Sequence, residues 1–132
     1  MATISKYYKK SITDALAALS PGLKCCLMAN THTISASQQY YSDVSANECS
    51  GSGYTTGGIL LTTPASSQVG DNAKFTAANT VYSGVTVTAR YAVVYNPTSG
   101  LIVAQYDLGG DKACSGGTLT LTWNAAGMLT VS

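Results

Sequence analysis

The residues of this chain that could carry out catalysis or bind a metal are few, and the only histidine, His32, is the first to consider. It lies in the polar segment from Thr31 to Ser37, with no acidic or cysteine neighbour at the spacing of metal ligands. A Ser-His-Asp triad would have to use it, and no Gly-x-Ser-x-Gly motif supplies a nucleophile. We therefore predict that His32 is a surface-loop residue without a catalytic role.

The four cysteines, Cys25, Cys26, Cys49 and Cys114, are the next candidates. Cys25 and Cys26 are adjacent in a segment typical of a strand, so their side chains should point to opposite faces. No Cys-x-x-Cys pair is present, although zinc sites usually contain one. We expect free thiols that pack as small hydrophobic side chains, with a Cys49–Cys114 disulfide as the alternative.

Asp107 and Asp111 flank Leu108-Gly109-Gly110, and two neighbouring carboxylates are the arrangement that hydrolyses glycosides. Tight turns use aspartate in another way, because the carboxylate accepts hydrogen bonds from turn amides. We expect this role for Asp107 and a solvent-exposed pair with Lys112 for Asp111. The alternating Asp and Asn ligands of calcium loops are missing. The sequence thus predicts no catalytic residue, no metal, no cofactor and no enzyme activity.

The segment from Cys49 to Gly58 is rich in glycine, as phosphate-binding loops are. A P-loop needs a Gly-Lys-Ser/Thr ending, and a dinucleotide fingerprint needs a following helix. Neither occurs, since Ile59 to Thr62 reads as a strand. We predict a turn whose glycines allow positive φ or close packing under Tyr54.

Hydrophobic periodicity predicts the elements that would position these residues. One amphipathic helix is expected over about residues 3–19, with an inward apolar face at Ile4, Tyr8, Ile12, Leu16 and Leu19. Pro21 and Gly22 should end it. A helical turn over residues 38–44 would bury one of Tyr40 and Tyr41. Strands are predicted at 23–29, 59–62, 73–77, 79–82, 85–95, 101–108, 118–123 and 128–131, with turns at 96–100, 109–111, 115–117 and 124–127.

The alternation of side chains is clearest between Tyr82 and Tyr95. Five residues fall on one face, while the other face carries polar side chains: Val85, Val87, Ala89, Tyr91 and Val93 against Thr86, Thr88 and Arg90. In the segment from Thr118 to Trp123, we predict that Leu119, Leu121 and Trp123 point inward and that Trp123 is a core anchor. The sequence predicts one mainly β domain over residues 1–132, an antiparallel β-sandwich or flattened barrel with one N-terminal α-helix.

Composition narrows the classes of function. Charged residues make up 10% of the 132 residues, compared with about 25% in typical proteins. The net charge of +1 argues against nucleic-acid binding, which needs clustered Lys and Arg. Weakly charged sheet edges favour pairing with other chains, so we expect a homo-oligomer. The nine tyrosines suit core packing and interfaces equally, and Tyr91 and Tyr95 should share a sheet face.

The N-terminal lysines are followed by no continuous apolar segment before Pro21, so we expect no targeting segment. No apolar run approaches the roughly 18 residues that span a membrane. The expectation is a soluble protein that is made in the cytoplasm and does not bind membranes.

Four segments, in order, resemble a family of small virion proteins of tailed bacteriophages. The family patterns evsGtGYtaGG, itARaaViY, idFGadk and WnaeGiLtls are similar to residues 44–58, 87–95, 106–112 and 123–132. The likeness covers the chain from about residue 40 and is looser before it. This chain departs from the pattern in its paired cysteines and in Gly110, where other members often carry Ala.

The resemblance implies a non-enzymatic structural protein of the virion, assembled in the host bacterial cytoplasm. The first expectation is a capsid decoration or cement protein whose partner is the major capsid protein. The second is a head–tail connector, collar or tail subunit with portal or tail proteins as partners. A glycan- or receptor-binding β module is a third.

Overall fold

The computed structural model describes residues 5–19, 21–123 and 128–131. Within these residues it contains one α-helix, α1 (Lys6–Ala17), two short 3-10 helices (Tyr41–Asp43 and Ser45–Asn47) and seven strands. The strands are β1 (Lys24–Met28), β2 (Ile59–Leu60), β3 (Ala65–Val69), β4 (Asn72–Thr76), β5 (Thr80–Tyr95), β6 (Ile102–Leu121) and β7 (Leu129–Val131).

The fold is mainly β with antiparallel sheets and one helix near the N-terminus, as predicted. The strands form two open sheets, ordered β2-β1-β5-β6 and β3-β4-β7, and not one closed barrel. The chain divides into two compact units, one of residues 23–60 and 81–120 and the other of residues 1–22, 61–80 and 121–132. That residues 1–132 form one domain stays a prediction.

The four-stranded sheet has its core where β1 pairs with the second half of β5. Cys26 lies opposite Val93, and Met28 lies opposite Tyr91. Residues 92–95 are buried without interruption, so both faces of the sheet are covered there. Strands that are covered on both faces appear in the sequence as continuous hydrophobic runs. One cluster on a single face consists of Cys26, Met28, Val44, Val93 and Tyr95, with Tyr41, Tyr91 and Ile102 packed against it.

The first half of β5 follows the predicted alternation. Val85, Val87 and Ala89 are buried, while Thr86 and Thr88 are exposed. Tyr91 and Tyr95 contact the same cluster, which confirms that they share a face. The period-2 pattern therefore predicts which side chains are buried where one face of the strand is exposed to solvent.

Both long strands continue through glycines that were expected to end them. The predicted turns at 109–111 and 115–117 lie inside β6, and the gap expected at residues 83–84 lies inside β5. Gly84, Gly109 and Gly116 have φ values of 63°, 82° and 66°. Positive φ within a strand is typical of a β-bulge, which absorbs an extra residue without ending the pairing.

The second unit combines the three-stranded sheet with α1. The helix packs mainly on β3 and β4. Among the helix side chains that the structure describes, Thr13 is buried, and its hydroxyl lies 2.6 Å from the Ser66 hydroxyl and donates to or accepts from it. Tyr8 and Ile12 are exposed, so the predicted inward face was wrong for these two residues, whereas Leu16 and Leu19 are half-buried. The contact between Thr13 and Ser66 is polar, and an apolar period does not reveal it.

The helix and strand boundaries were predicted with uneven success. Strands β1, β4 and β7 lie within or next to their predicted ranges, β2 is shorter, and β3 was missed because Ala65–Val69 carries little hydrophobic signal. The helix ends at Ala17, two residues earlier than expected. Ile4 and the turn at 124–127 lie outside the described residues.

Trp123 is less buried than a core anchor would be. It is half-buried and follows the end of β6, and its indole Nε1 donates to Thr80 Oγ1 over 3.0 Å. Leu121 is buried, Leu119 is half-buried and the intervening threonines are exposed. The alternation was predicted correctly, whereas the depth of Trp123 was overestimated because an indole N–H needs a polar partner.

Candidate functional site

A polar network surrounds the Glu48 carboxylate. Glu48 Oε1 accepts hydrogen bonds from the Tyr54 hydroxyl at 2.8 Å and from the Gly57 amide at 2.7 Å. Glu48 Oε2 accepts from the Tyr41 hydroxyl. The Tyr54 oxygen in turn accepts from the Leu27 amide at 2.9 Å. We call Glu48, Tyr41, Tyr54 and Gly57 the Glu48 hub.

Two further tyrosines extend the hub into the sheet. The rings of Tyr41 and Tyr95 stack with centroids 4.6 Å apart, and the Tyr95 hydroxyl donates to the Gly57 carbonyl at 2.7 Å. The Tyr82 hydroxyl donates to the Cys25 carbonyl at 2.6 Å. Each of these hydroxyls forms a hydrogen bond with a backbone atom or a carboxylate. Buried tyrosine hydroxyls are usually satisfied in this way.

The hydroxyls of the two hub tyrosines and of Tyr82 and Tyr95 are held in their protonated form. Desolvation by burial raises the pKa of Tyr95 to about 12 and raises the pKa values of Tyr41, Tyr54 and Tyr82 as well. These hydroxyls therefore remain hydrogen-bond donors, and the Glu48 carboxylate accepts three hydrogen bonds.

The glycine-rich segment confirms the predicted turn. A Cβ on Gly58 would lie 1.9 Å from the Cys25 carbonyl oxygen, and one on Gly53 would lie 2.1 Å from the Gly84 carbonyl oxygen. Both residues also have φ near 79°. Because only glycine permits this approach and this φ, the segment lies against the strands and not around a phosphate.

The structure overturns the expectation for His32. The side chain is 1% exposed, with Nε2 at 2.8 Å from Gln105 Oε1 and the ring edge-on to Tyr91. Gln105 also donates to Gln38 Oε1 and to the Ser35 carbonyl. The segment is a loop, as predicted, but it folds over the ring. A polar sequence could not reveal this, because the partner is 73 residues away.

The four thiols are free. Cys25 and Cys26 are fully buried in β1, and Cys49 donates to the Thr88 carbonyl at 3.2 Å. Burial raises the pKa of Cys49 to about 11, which suppresses the reactive thiolate.

The alternative disulfide does not occur, although Cys49 and Cys114 line the same groove of about 410 Å³. The Cys49 thiol donates to the Thr88 carbonyl of β5, and Cys114 belongs to β6.

The two aspartates have different partners. Asp107 accepts from the Gly109 amide at 2.8 Å, as predicted, and forms an ion pair with Arg90 at 2.9 Å. The Arg90 hydrogen bond lowers the pKa of Asp107. Asp111 accepts from Asn30 Nδ2 at 3.1 Å, so the expected pairing with Lys112 was wrong.

Glu48 lies within residues 44–58, one of the segments that resemble the virion proteins, but the sequence pattern assigns it no role. The available signal was a lone carboxylate ahead of a glycine-rich turn in a weakly charged chain. Within residues 5–19, 21–123 and 128–131, no three His, Cys, Asp or Glu side chains lie close enough to hold a metal ion. No described helix is long and apolar enough to cross a membrane.

No protein-family model, no curated protein and no solved structure matches this chain.

Proposed function

We propose that this chain is a non-enzymatic structural protein of a tailed-phage particle and serves as a capsid decoration or cement subunit. The proposal begins from the resemblance of four ordered segments to small virion proteins. It places the chain on the outside of the head, bound to the major capsid protein in many copies.

The observation that carries the proposal is the structural role of residues in the first of those segments, residues 44–58. Residues of this segment hold a loop against β1. The polar atoms of Glu48, Tyr54 and Gly57 form hydrogen bonds, and Gly58 has no side chain that would prevent close packing. A motif of this kind stabilises the fold and leaves none of these side chains available for catalysis. This supports the structural reading over a catalytic one.

Surface chemistry supports a role in assembly. The large exposed hydrophobic side chains include Ile34, Tyr40, Leu60, Val81 and Leu101 in the unit with the four-stranded sheet. With a net charge of +1, contacts through this surface depend little on charge. A lattice protein bound through such contacts resists salt, because screening weakens only charge-dominated interactions.

Co-sedimentation with phage heads that lack the protein tests the proposal. We expect saturable binding at a fixed ratio to the major capsid protein, unchanged between low and high salt. Heads already carrying their full complement of the protein are the control and should bind no more.

Three results would contradict the decoration role. Protein that stays in the supernatant with heads but forms rings or tubes alone would favour the head–tail or tail alternative. A specific signal on a glycan array would favour the receptor-binding alternative. Binding to no virion component would remove the virion proposal altogether.

A further inference from the structure

The loop of residues 31–38 has one buried side chain, that of His32. This imidazole is 1% exposed, whereas the other residues of the loop are exposed or half-buried. Ile34 of the loop and residues 102–105 of β6 line a groove of about 290 Å³, so the loop does not pack tightly on the strand. Segments with few buried contacts are the ones that open most readily.

The side chain of Gln105 in β6 joins the loop to the strand through three polar contacts. Gln105 Oε1 lies 2.8 Å from His32 Nε2. Gln105 Nε2 donates to the Ser35 carbonyl at 3.3 Å and to Gln38 Oε1 at 3.1 Å. The closed position of the loop therefore depends on contacts at one glutamine.

The two ends of the loop are held by other bonds. Before the loop, the Ala29 amide donates to the Asn47 carbonyl at 2.9 Å. After it, the Ile102 amide donates to the Gln39 carbonyl at 2.9 Å. Loss of the Gln105 contacts would thus release residues 31–38 between two fixed ends.

The hydrogen-bond network determines which imidazole nitrogen of His32 carries the hydrogen. The Ser35 carbonyl can only accept, so the Gln105 atom that faces it is the amide nitrogen. Gln105 must then present its oxygen to His32, and Nε2 is the donor. Nδ1 is left without a hydrogen, and it is buried with no hydrogen-bond partner among the described residues.

Protonation of His32 would add a second N–H, at Nδ1. In the closed loop this donor would be buried beside no acceptor, and the imidazolium charge would be removed from water. Both effects cost free energy. In an open loop, water would solvate the same N–H and the same charge.

The charged groups on the neighbouring strands already have partners. Arg90 of β5 is a second cation, 5.4 Å from the centre of the Tyr91 ring that meets the imidazole edge-on. Asp107 forms an ion pair with Arg90, and Asp111 accepts from the Asn30 side chain. The contacts of these carboxylates are therefore made with groups other than His32.

The titratable groups of the cluster that includes Tyr91 supply no free negative charge. Burial raises the pKa of Tyr95 to about 12 and raises the pKa values of Tyr41 and Cys26, so these three remain neutral in acid. The Glu48 carboxylate accepts its three hydrogen bonds within the Glu48 hub.

We propose that His32 is a pH-dependent switch that holds residues 31–38 on β6 when neutral and releases them when protonated. The proton comes from water and binds Nδ1. Solvent-exposed imidazoles take up a proton near about pH 6.5. Because the open loop accommodates the proton and the closed loop does not, closure is stable above this pH and weakens as the pH falls below it.

Opening changes the surface at this end of β6. It carries Ile34 away from Ile102 and leaves Gln105 and the edge of the Tyr91 ring accessible to water. The surface that is present at neutral pH is therefore altered in acid. The inference does not rest on the virion role, since it needs only the chain itself.

Amide hydrogen exchange of the wild-type protein at about pH 7.5 and about pH 5, corrected for intrinsic rates, measures the opening. The Ser35 and Gln38 amides, which donate within the closed loop, report it. One proton changes the opening equilibrium by up to about tenfold per pH unit, so we expect up to about 30-fold less protection at the lower pH. The Tyr41 and Ile102 amides should keep their protection. Equal protection of the loop amides at both pH values would overturn the proposal.

His32→Gln is the matched control. A glutamine amide can donate to Gln105 Oε1 but takes up no proton in this range, so its loop amides should be equally protected at both pH values. A fall in protection that persists in His32→Gln would assign the effect to another group and would also exclude the switch.

Nuclear magnetic resonance of the wild-type imidazole tests the switch without any variant. The chain has one histidine, so its signals need no further assignment. We expect a hydrogen on Nε2 and none on Nδ1 at about pH 7.5, with close contacts between the imidazole and the Tyr91 ring. A hydrogen on Nδ1 at this pH, or an imidazolium that keeps its contacts to Tyr91, would contradict the proposal.

Discussion

The two units of the chain build their interiors in different ways. The unit with the four-stranded sheet buries continuous strand residues and ties them together through the Glu48 hub and Tyr82. The unit with α1 and the three-stranded sheet buries Phe75 and Ala73 in β4 but places Thr13 of the helix against that sheet. The first unit contains close backbone contacts at Gly53 and Gly58, and the second contains a polar contact between Thr13 of the helix and Ser66 of β3.

This difference explains where the sequence pattern was a safe guide. A strand in a paired sheet has its faces fixed by period 2, and a shift by one residue would expose the whole core face. A short helix can rotate on a small sheet at low cost when its apolar side chains are few. The first half of β5 therefore followed its pattern, whereas Tyr8 and Ile12 of α1 did not.

The largest expected effect concerns close packing beneath the glycine-rich segment. Gly58→Ala places a Cβ 1.9 Å from the Cys25 carbonyl oxygen at a φ of 79°. Since backbone must move in two elements, we expect a loss of at least about 4 kcal/mol in the free energy of unfolding. Urea denaturation measures it.

Gly70→Ala is the matched control in the other unit. Its φ is also positive, at 60°, but a Cβ there meets nothing within 4 Å. Only the cost of the left-handed backbone remains, about 1–2 kcal/mol. Equal losses for the two variants would contradict the claim that the four-stranded unit depends on backbone contact.

The second expected effect is alkaline instability confined to the four-stranded unit. Phenols in an unfolded chain ionise near pH 10, whereas burial raises the pKa values of Tyr54 and Tyr82 in the folded protein. The folded state thus holds protons that the unfolded state releases. The phenols therefore leave stability unchanged below about pH 10 and lower it as pH rises further, by up to about 1.4 kcal/mol per pH unit for each phenol. The buried thiols of Cys25, Cys26 and Cys49, whose pKa values burial also raises, begin the same decline near about pH 8.5, where thiols of an unfolded chain ionise.

Amide hydrogen exchange between pH 9 and 11.5, corrected for intrinsic rates, separates the two units. Amides of β1 and β5 should lose protection before those of β4. Tyr82→Phe should reduce the slope by one phenol, with Tyr8→Phe on the exposed face of α1 as the control. A uniform loss of protection across both units would show that the hub does not set alkaline stability.

The smallest expected effect tests the orientation of α1. Thr13→Val removes the hydrogen bonds to Ser66 and to the Lys10 carbonyl and should cost about 1 kcal/mol. Tyr8→Ser alters a side chain that is 66% exposed and should change stability by less than about 0.5 kcal/mol. If Tyr8→Ser is the more damaging of the two in thermal melts, the helix presents the face that the apolar pattern predicted.

The sequence by itself determined the mainly β class, the single helix, the faces of β5 and the turn role of residues 49–58. These depend on local rules: side-chain alternation, the stop at Pro21 and Gly22, and the conformational range of glycine. For the candidate site it predicted the glycine-rich turn of residues 49–58.

Only the tertiary structure decided the rest. The burial of His32 depends on Gln105, the Glu48 hub is joined to Leu27 through Tyr54 and to Tyr95 through Gly57, and the bulges of β6 are visible only once β5 pairs with it. The depth of Trp123 and the rotation of α1 depend on hydrogen bonds to Thr80 and Ser66. Such partners are distant in the chain, and local periodicity carries no information about which distant polar atom a side chain will meet.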